Sequence, residues 1–219
     1  MAAVTERSTF AMDEIARGEA DLFVCAPSGS MGLLAPWLRV LLDALLHAVE
    51  HDRRDGDERV VAFIDEAASL GKFDALQRAV GAAPGEGLSI WTFWQSSAQL
   101  RGAYGQGAET FFDAAEARMA FNIPPGKPAR EWSEMLGDYT IRVRTTGEGE
   151  RAGGDTVSHQ KRALMTPDEI ASMPRDELLV LTSGEGTPTR PMRLRKTNPF
   201  RERRFRGLID RKERPPRIG

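Results

Sequence analysis

Cysteine is nearly absent from this chain: Cys25 stands alone, so no disulfide can close within it. Its setting, Leu22-Phe23-Val24-Cys25-Ala26, reads as a small core residue on a buried strand over residues 21–26. The three histidines, His47, His51 and His159, are not grouped with the cysteine, and no zinc site is read from them. No signal peptide opens the sequence. No stretch reaches the roughly 18 uninterrupted apolar residues expected of a membrane span. The nearest, residues 33–49, is interrupted by Arg39, Asp43 and His47. Their i, i+4, i+8 spacing draws one polar stripe along an apolar helix, the pattern of a helix packed on a sheet in a soluble, cytosolic chain. Also missing is G-x-x-x-x-G-K-[ST], the loop whose backbone N–H groups and lysine cradle nucleotide phosphates.

What is present is a chain long enough for one good core and a small appendage, at 219 residues with 41% hydrophobic and 28% charged residues. Its net charge of −2 is unevenly placed. Residues 190–219 hold twelve Lys/Arg against three acids, a local +9, which leaves −11 on the rest. A basic tail on an acidic body suits nucleic acid, anionic lipid or an acidic partner, and equally a solvated, disordered tail. Arg203, Arg204 and Arg206 flank Phe205, an arrangement in which arginines bind phosphate while a ring stacks on a base.

The most informative segment is Val60-Val61-Ala62-Phe63-Ile64-Asp65-Glu66. Five apolar residues running into two acids read as a strand buried on both faces, with carboxylates at its C-terminal end. That is where α/β sheets place ligands. It is also the Walker B pattern, in which the first acid holds Mg²⁺ and the second polarises the attacking water. Acids after a strand also arise simply because they favour a helix start.

Around it the pattern alternates. Short helices are expected over 9–18, from Pro36 to about 50, 73–82, 96–104, 108–114 and 128–136. Strands are expected over 88–94, ending at Gln95, and 118–123. Such alternation predicts a mostly parallel sheet covered on both faces. Residues 147–160 read as a mobile Gly-rich loop. Thr166-Pro167-Asp168-Glu169 is a capping box, and 177–182 and 190–196 read as two closing strands. The expected division is a domain over 1–200 and a disordered basic tail over 201–219.

Five ordered segments carry a family resemblance: Trp37-Leu38-Arg39; Phe63 through Gly71; Trp91-Thr92-Phe93-Trp94-Gln95-Ser96-Ser97-Ala98-Gln99-Leu100; Trp132-Ser133-Glu134-Met135-Leu136-Gly137; and Leu164 through Ile170 with Asn198-Pro199-Phe200. Together they resemble the C-terminal half of type IV secretion coupling proteins, the conjugative DNA-transfer ATPases of the TraG/TraD class. The resemblance implies a RecA-like P-loop ATPase core that assembles as a homo-hexamer on the cytoplasmic face of the inner membrane. It implies ATP and Mg²⁺ as cofactors, and single-stranded DNA, its attached relaxase and the secretion channel as partners. Carried over by position, Asp65 binds Mg²⁺, Glu66 is the catalytic base and Gln95 senses the γ-phosphate or orients water. A phosphate loop and membrane helices, upstream in such proteins, are not among these residues, so hydrolysis would need the Walker A half. No arginine stands in the turn before the glutamine strand, where Ala83-Pro84-Gly85-Glu86 is found; Arg78 or Arg101 could substitute, and either reads equally as a surface charge. The alternative is a non-enzymatic remnant or module that binds motor subunits, relaxase or DNA. Either way, sheet edges and apolar faces are expected to lie open, which predicts marginal stability.

Overall fold

A computed structural model of the chain describes residues 10–54, 56–82, 85, 87–145, 156–184 and 187–208. It divides into two compact units, Met1–Ala115 and Glu116–Gly219, with the division falling inside the 1–200 span read from sequence as one domain.

In the first unit, α1 (Met12–Ala16) and the long α2 (Met31–Asp52) precede β1 (Val60–Ile64). A 3-10 turn (Ala67–Leu70) and α3 (Asp74–Ala82) lead to β2 (Leu88–Thr92). Then come α4 (Ser97–Tyr104) and α5 (Ala108–Asp113). β1 and β2 pair in parallel, from Val60 against Leu88 to Ile64 against Thr92. Parallel neighbours need a crossover, and α3 lies in it. One face of the pair is packed. Val60 and Leu88 join Ala16, Ala48 and Val49, so α2 does pack on this sheet. Leu70, Leu76, Leu100, Tyr104, Ala108 and Phe111 form a second cluster around α3, α4 and α5.

Several expectations are corrected here. The β1 strand is not buried on both faces: Val61 is exposed and Phe63 is 67% exposed. With Trp91 and Phe93 they make an open apolar face, the Phe63 and Trp91 rings lying 6.0 Å apart. Residues 21–26 pair with no strand among the described residues, and Phe23 and Cys25 are exposed. An apolar run codes for a strand only when a neighbour supplies the ladder. Helix α2 starts at Met31, so Pro36 lies within it and not in its first turn. The carbonyl that Pro36 leaves without a donor is that of exposed Gly32, where water can serve it. By length and composition α2, at 22 residues, is apolar enough to cross a bilayer.

In the second unit, β3 (Ala117–Phe121) is followed by α6 (Lys127–Leu136), the hairpin β4 (Asp138–Thr145) and β5 (Thr156–Ala163), α7 (Pro167–Ala171), β6 (Glu177–Gly184) and β7 (Thr187–Arg195). The sheet order is β3-β6-β7, antiparallel throughout. Among the described residues only β1–β2 is parallel, so the expected mostly parallel sheet is not what forms. A two-residue connection forces β6 and β7 antiparallel. The path from β3 to β6 holds two helices and a hairpin, so simple alternation no longer sets strand direction.

The loop expected over 147–160 gives way at Thr156 to β5, which pairs with β4 from Asp138–Ala163 to Thr145–Thr156. Residues 147–155 lie outside the described residues, as do 209–219 of the tail. The capping box is present: Thr166 Oγ1 accepts from Glu169 N at 3.3 Å, and Thr166 N donates to Glu169 Oε2 at 2.8 Å. Ala129, Leu136, Ile170 and Leu179 form the core of this unit. Buried Ser133 donates to the carbonyl of Met165 at 2.6 Å, and Leu164 N donates to Gly137 O at 2.9 Å.

Candidate functional site

The C-terminal ends of β1 and β2 carry the acids and the glutamine. The ladder runs beyond both strands: Phe93 N donates to Ile64 O at 3.0 Å, and Ala67 N to Phe93 O at 3.3 Å. Asp65 and Glu66 are therefore pinned between two backbone bonds that tie them to the neighbouring strand. Glu66 then enters the 3-10 turn Ala67–Leu70, whose Ala67 and Leu70 are buried. Gly71 closes that turn at φ +61° and ψ −156°, a region essentially reserved for glycine.

Gln95 arrives from the other strand. Its Nε2 donates to Glu66 Oε2 at 3.2 Å. Its backbone N donates to the side-chain oxygen of Gln99 at 2.9 Å. Ser96 caps α4 by accepting from Gln99 N at 3.2 Å. Ser96 and Gln99 thus hold the strand end much as a capping box holds a helix start. One residue earlier, the Trp94 ring meets Tyr104 and Phe111 edge-on, each at 6.0 Å, which fixes the chain just before Gln95. Burial pushes the Tyr104 phenol above its ordinary pKa.

The structure therefore brings Asp65, Glu66 and Gln95 to one edge, all three exposed. No lysine or arginine among the described residues pairs with Asp65 or Glu66. Two further residues position this edge, and the sequence reading gave neither that part. Gln99 is one; the S-x-x-Q spacing from Ser96 was its signal. Arg39 is the other: its Nε donates to Leu70 O at 2.6 Å, clamping the turn behind the acids to α2. Of the substitute arginines, Arg101 pairs with Glu109 at 3.6 Å and lies 5.2 Å from the Phe112 ring centroid. Arg78 is exposed on α3.

The tail arginines belong to the second unit. Arg204 lies 4.9 Å from the centroid of the Phe205 ring, pairs with Glu202 at 2.8 Å and donates to Thr197 Oγ1 at 3.1 Å. It is committed to its neighbours although, like Arg203 and Arg206, it is exposed.

Comparison with known proteins defines the class first. The fold is that of plasmid coupling proteins. An unbound form of the conjugative coupling protein TrwB superposes with a TM-score of 0.71 at 20% identity, over 86% of this chain and 44% of that one. TrwB solved with ADP and Mg²⁺ superposes at 0.68 and 21% identity, over 87% of this chain and 43% of that one. Among sequences, VirD4 of Bartonella henselae, a type IV secretion system-coupling protein, is 30% identical over 80% of this chain and 28% of its own length. VirD4 of Rhizobium radiobacter is 25% identical over 95% of this chain and 31% of its length. A probable conjugal transfer protein TraG of Sinorhizobium fredii is 29% identical over 84% and 30%. Residues 1–213 match the family described as type IV secretory system conjugative DNA transfer, and the chain belongs to that family. It spans less than a third of the length of these curated relatives.

Proposed function

We propose that this chain supplies the Walker B half of a RecA-like, nucleotide-driven DNA-transfer motor. The observation that carries this reading is the convergence of Asp65, Glu66 and Gln95 at the C-terminal end of a parallel strand pair. That is where such sheets bind ligand. Two carboxylates that pair with no lysine or arginine among the described residues are a fitting donor set for Mg²⁺, a hard ion that takes oxygen ligands. A TrwB structure that shares the fold holds ADP and Mg²⁺.

When bound, Mg²⁺-ATP would supply the transferable phosphoryl group and a metal that neutralises charge on its oxygens. The chain's own residues do the rest. Asp65 would hold the metal. Glu66 takes the proton of the attacking water, and the Gln95 amide keeps that carboxylate oriented through the bond it makes to Oε2. The same amide can donate to a phosphate oxygen and accept from the water. Gln99 holds the Gln95 backbone, and Arg39 holds the turn that follows the acids.

No phosphate-binding loop occurs in the 219 residues. The Walker A half is supplied by another part of the polypeptide or in trans, and it covers the open face of Val61, Phe63, Trp91 and Phe93. In the assembled motor the chain is part of one subunit of a hexameric ring at the cytoplasmic face of the inner membrane. That ring passes single-stranded DNA and its attached relaxase to a secretion channel.

The test is thermal protection by Mg²⁺-ATP. The isolated chain is expected to show no shift, for want of a phosphate cradle. Mixed with a Walker A polypeptide of this family at nucleotide near 100 times Kd, it gains about 2.7 kcal/mol. For a chain of this size that is a rise of about 5–10 °C. No protection of the mixture would overturn the proposal.

A further inference from the structure

We propose that His47, Glu50 and His51 form a surface site for a divalent ion of the zinc class. It is separate from the Asp65–Glu66 edge and unlike it in chemistry. The three residues occupy i, i+3 and i+4 of α2, the spacing that puts side chains on one helix face. One ligand atom of each lies within 4.8 Å of the other two, and all three residues are exposed. The two imidazole rings lie with centroids 4.1 Å apart, tilted by 31°.

The tautomer of His51 is fixed by its neighbour. Its Nδ1 is 2.9 Å from the carbonyl oxygen of His47. A carbonyl can only accept, so in the neutral ring this contact selects the Nδ1–H tautomer and leaves Nε2 to ligate, although the 3.9 Å approach of Glu50 Oε2 is to Nδ1. A metal-ligating histidine is held in this way, by its other nitrogen donating to a backbone carbonyl. The helix backbone here is also anchored. Ala48 and Val49, between the ligands, are 3% and 2% exposed in the core against β1 and β2. The site falls in the last turns of α2, where unpaired carbonyls favour a cation.

Two imidazoles and one carboxylate are a zinc donor set that leaves a fourth position open. Tetrahedral zinc with ligands at about 2.0–2.2 Å holds its donors about 3.4 Å apart. The order H-x-x-E-H also occurs in a class of zinc peptidases. Here the three side chains stand on an open helix surface, so the assignment is to metal binding and not to hydrolysis. Cu²⁺ is expected to bind more tightly than Zn²⁺, and Mg²⁺ not at all.

The experiment titrates the 219-residue chain with Zn²⁺ against a chromogenic competitor. His47→Ala, His51→Ala and, as a control, Asp65→Asn with Glu66→Gln are measured alongside. Alanine at an exposed helix position favours the helix, so circular dichroism is expected to be unchanged in the histidine variants. The expected result is one zinc per chain, weakened about 10-fold or more by either histidine change and unmoved by the acid pair. Nitrogen hyperfine structure in the Cu²⁺ spectrum should likewise disappear when both histidines are replaced. Zinc affinity retained in the double histidine variant, or lost in the acid-pair variant instead, overturns the assignment.

Discussion

Replacing Arg39 by Met tests whether the catalytic edge is held from behind. Met keeps the apolar stem that packs along α2 and deletes only the guanidinium. What is lost is a 2.6 Å bond from Nε to the carbonyl of Leu70. Bonds of this kind, with a charged donor, are worth about 1.5–3 kcal/mol. Arg39 is only partly buried, so water takes up some of the loss and about 1–2 kcal/mol is expected. At this chain length that lowers Tm by roughly 2–8 °C. The loss should also be local. Hydrogen exchange at 67–71 should quicken while the β1–β2 ladder keeps its protection, because the clamp ends at Leu70. Arg78→Met, on the exposed face of α3, is the control and should change stability by less than about 0.5 kcal/mol. If both variants behave alike, or exchange at 67–71 does not change, Arg39 does not position the acids.

Leu76 is fully buried among Leu70, Leu100, Tyr104 and Phe111, so Leu76→Ala should cost about 2–5 kcal/mol in denaturant unfolding. A cost below 1 kcal/mol would mean that the second cluster is not the core of its unit. The backbone N–H of Thr166 holds the Glu169 carboxyl below the usual range, aided by the Thr166 hydroxyl and Arg162. A depressed pKa contributes stability above the unfolded value of about 4.3, which is lost as pH falls through the folded value. Wild type should therefore exceed Glu169→Gln in stability at pH 7, with the gap shrinking as pH falls below the unfolded value; a gap that ignores pH refutes the capping assignment. Cys25 is exposed, so a thiol reagent should label the native chain as fast as the unfolded one. Protection of the native thiol would restore the buried strand read from the sequence.

The elements most legible in the sequence were those fixed locally. The capping box at Thr166 needs only four residues, and it appears as written. The strand pair ending in Asp65 and Gln95 was legible because apolar runs that stop at polar residues mark buried strand ends. What local pattern could not reveal was partnership. Residues 21–26 have a strand's composition but find no ladder among the described residues, and Phe63 lies open where a two-sided sheet would bury it. The hairpin β4–β5 was hidden by the Gly-rich stretch inside it, although Tyr139-Thr140-Ile141-Arg142-Val143-Arg144 alternates as a strand does. The two segments around Ser133 and Thr166 looked like separate blocks of resemblance. In the fold they are one joint, closed by Ser133 on Met165 and Leu164 on Gly137. His47 and His51 were noted as scarce histidines, and their helical spacing was the signal that joined them.

The most direct test of the central claim is single-turnover hydrolysis by the chain combined with a Walker A polypeptide of its family, wild type against Glu66→Gln. Removing a general base costs about 10²–10⁴-fold in rate. The account predicts a loss of at least 100-fold with nucleotide binding intact. Hydrolysis that survives the substitution at the wild-type rate would contradict it.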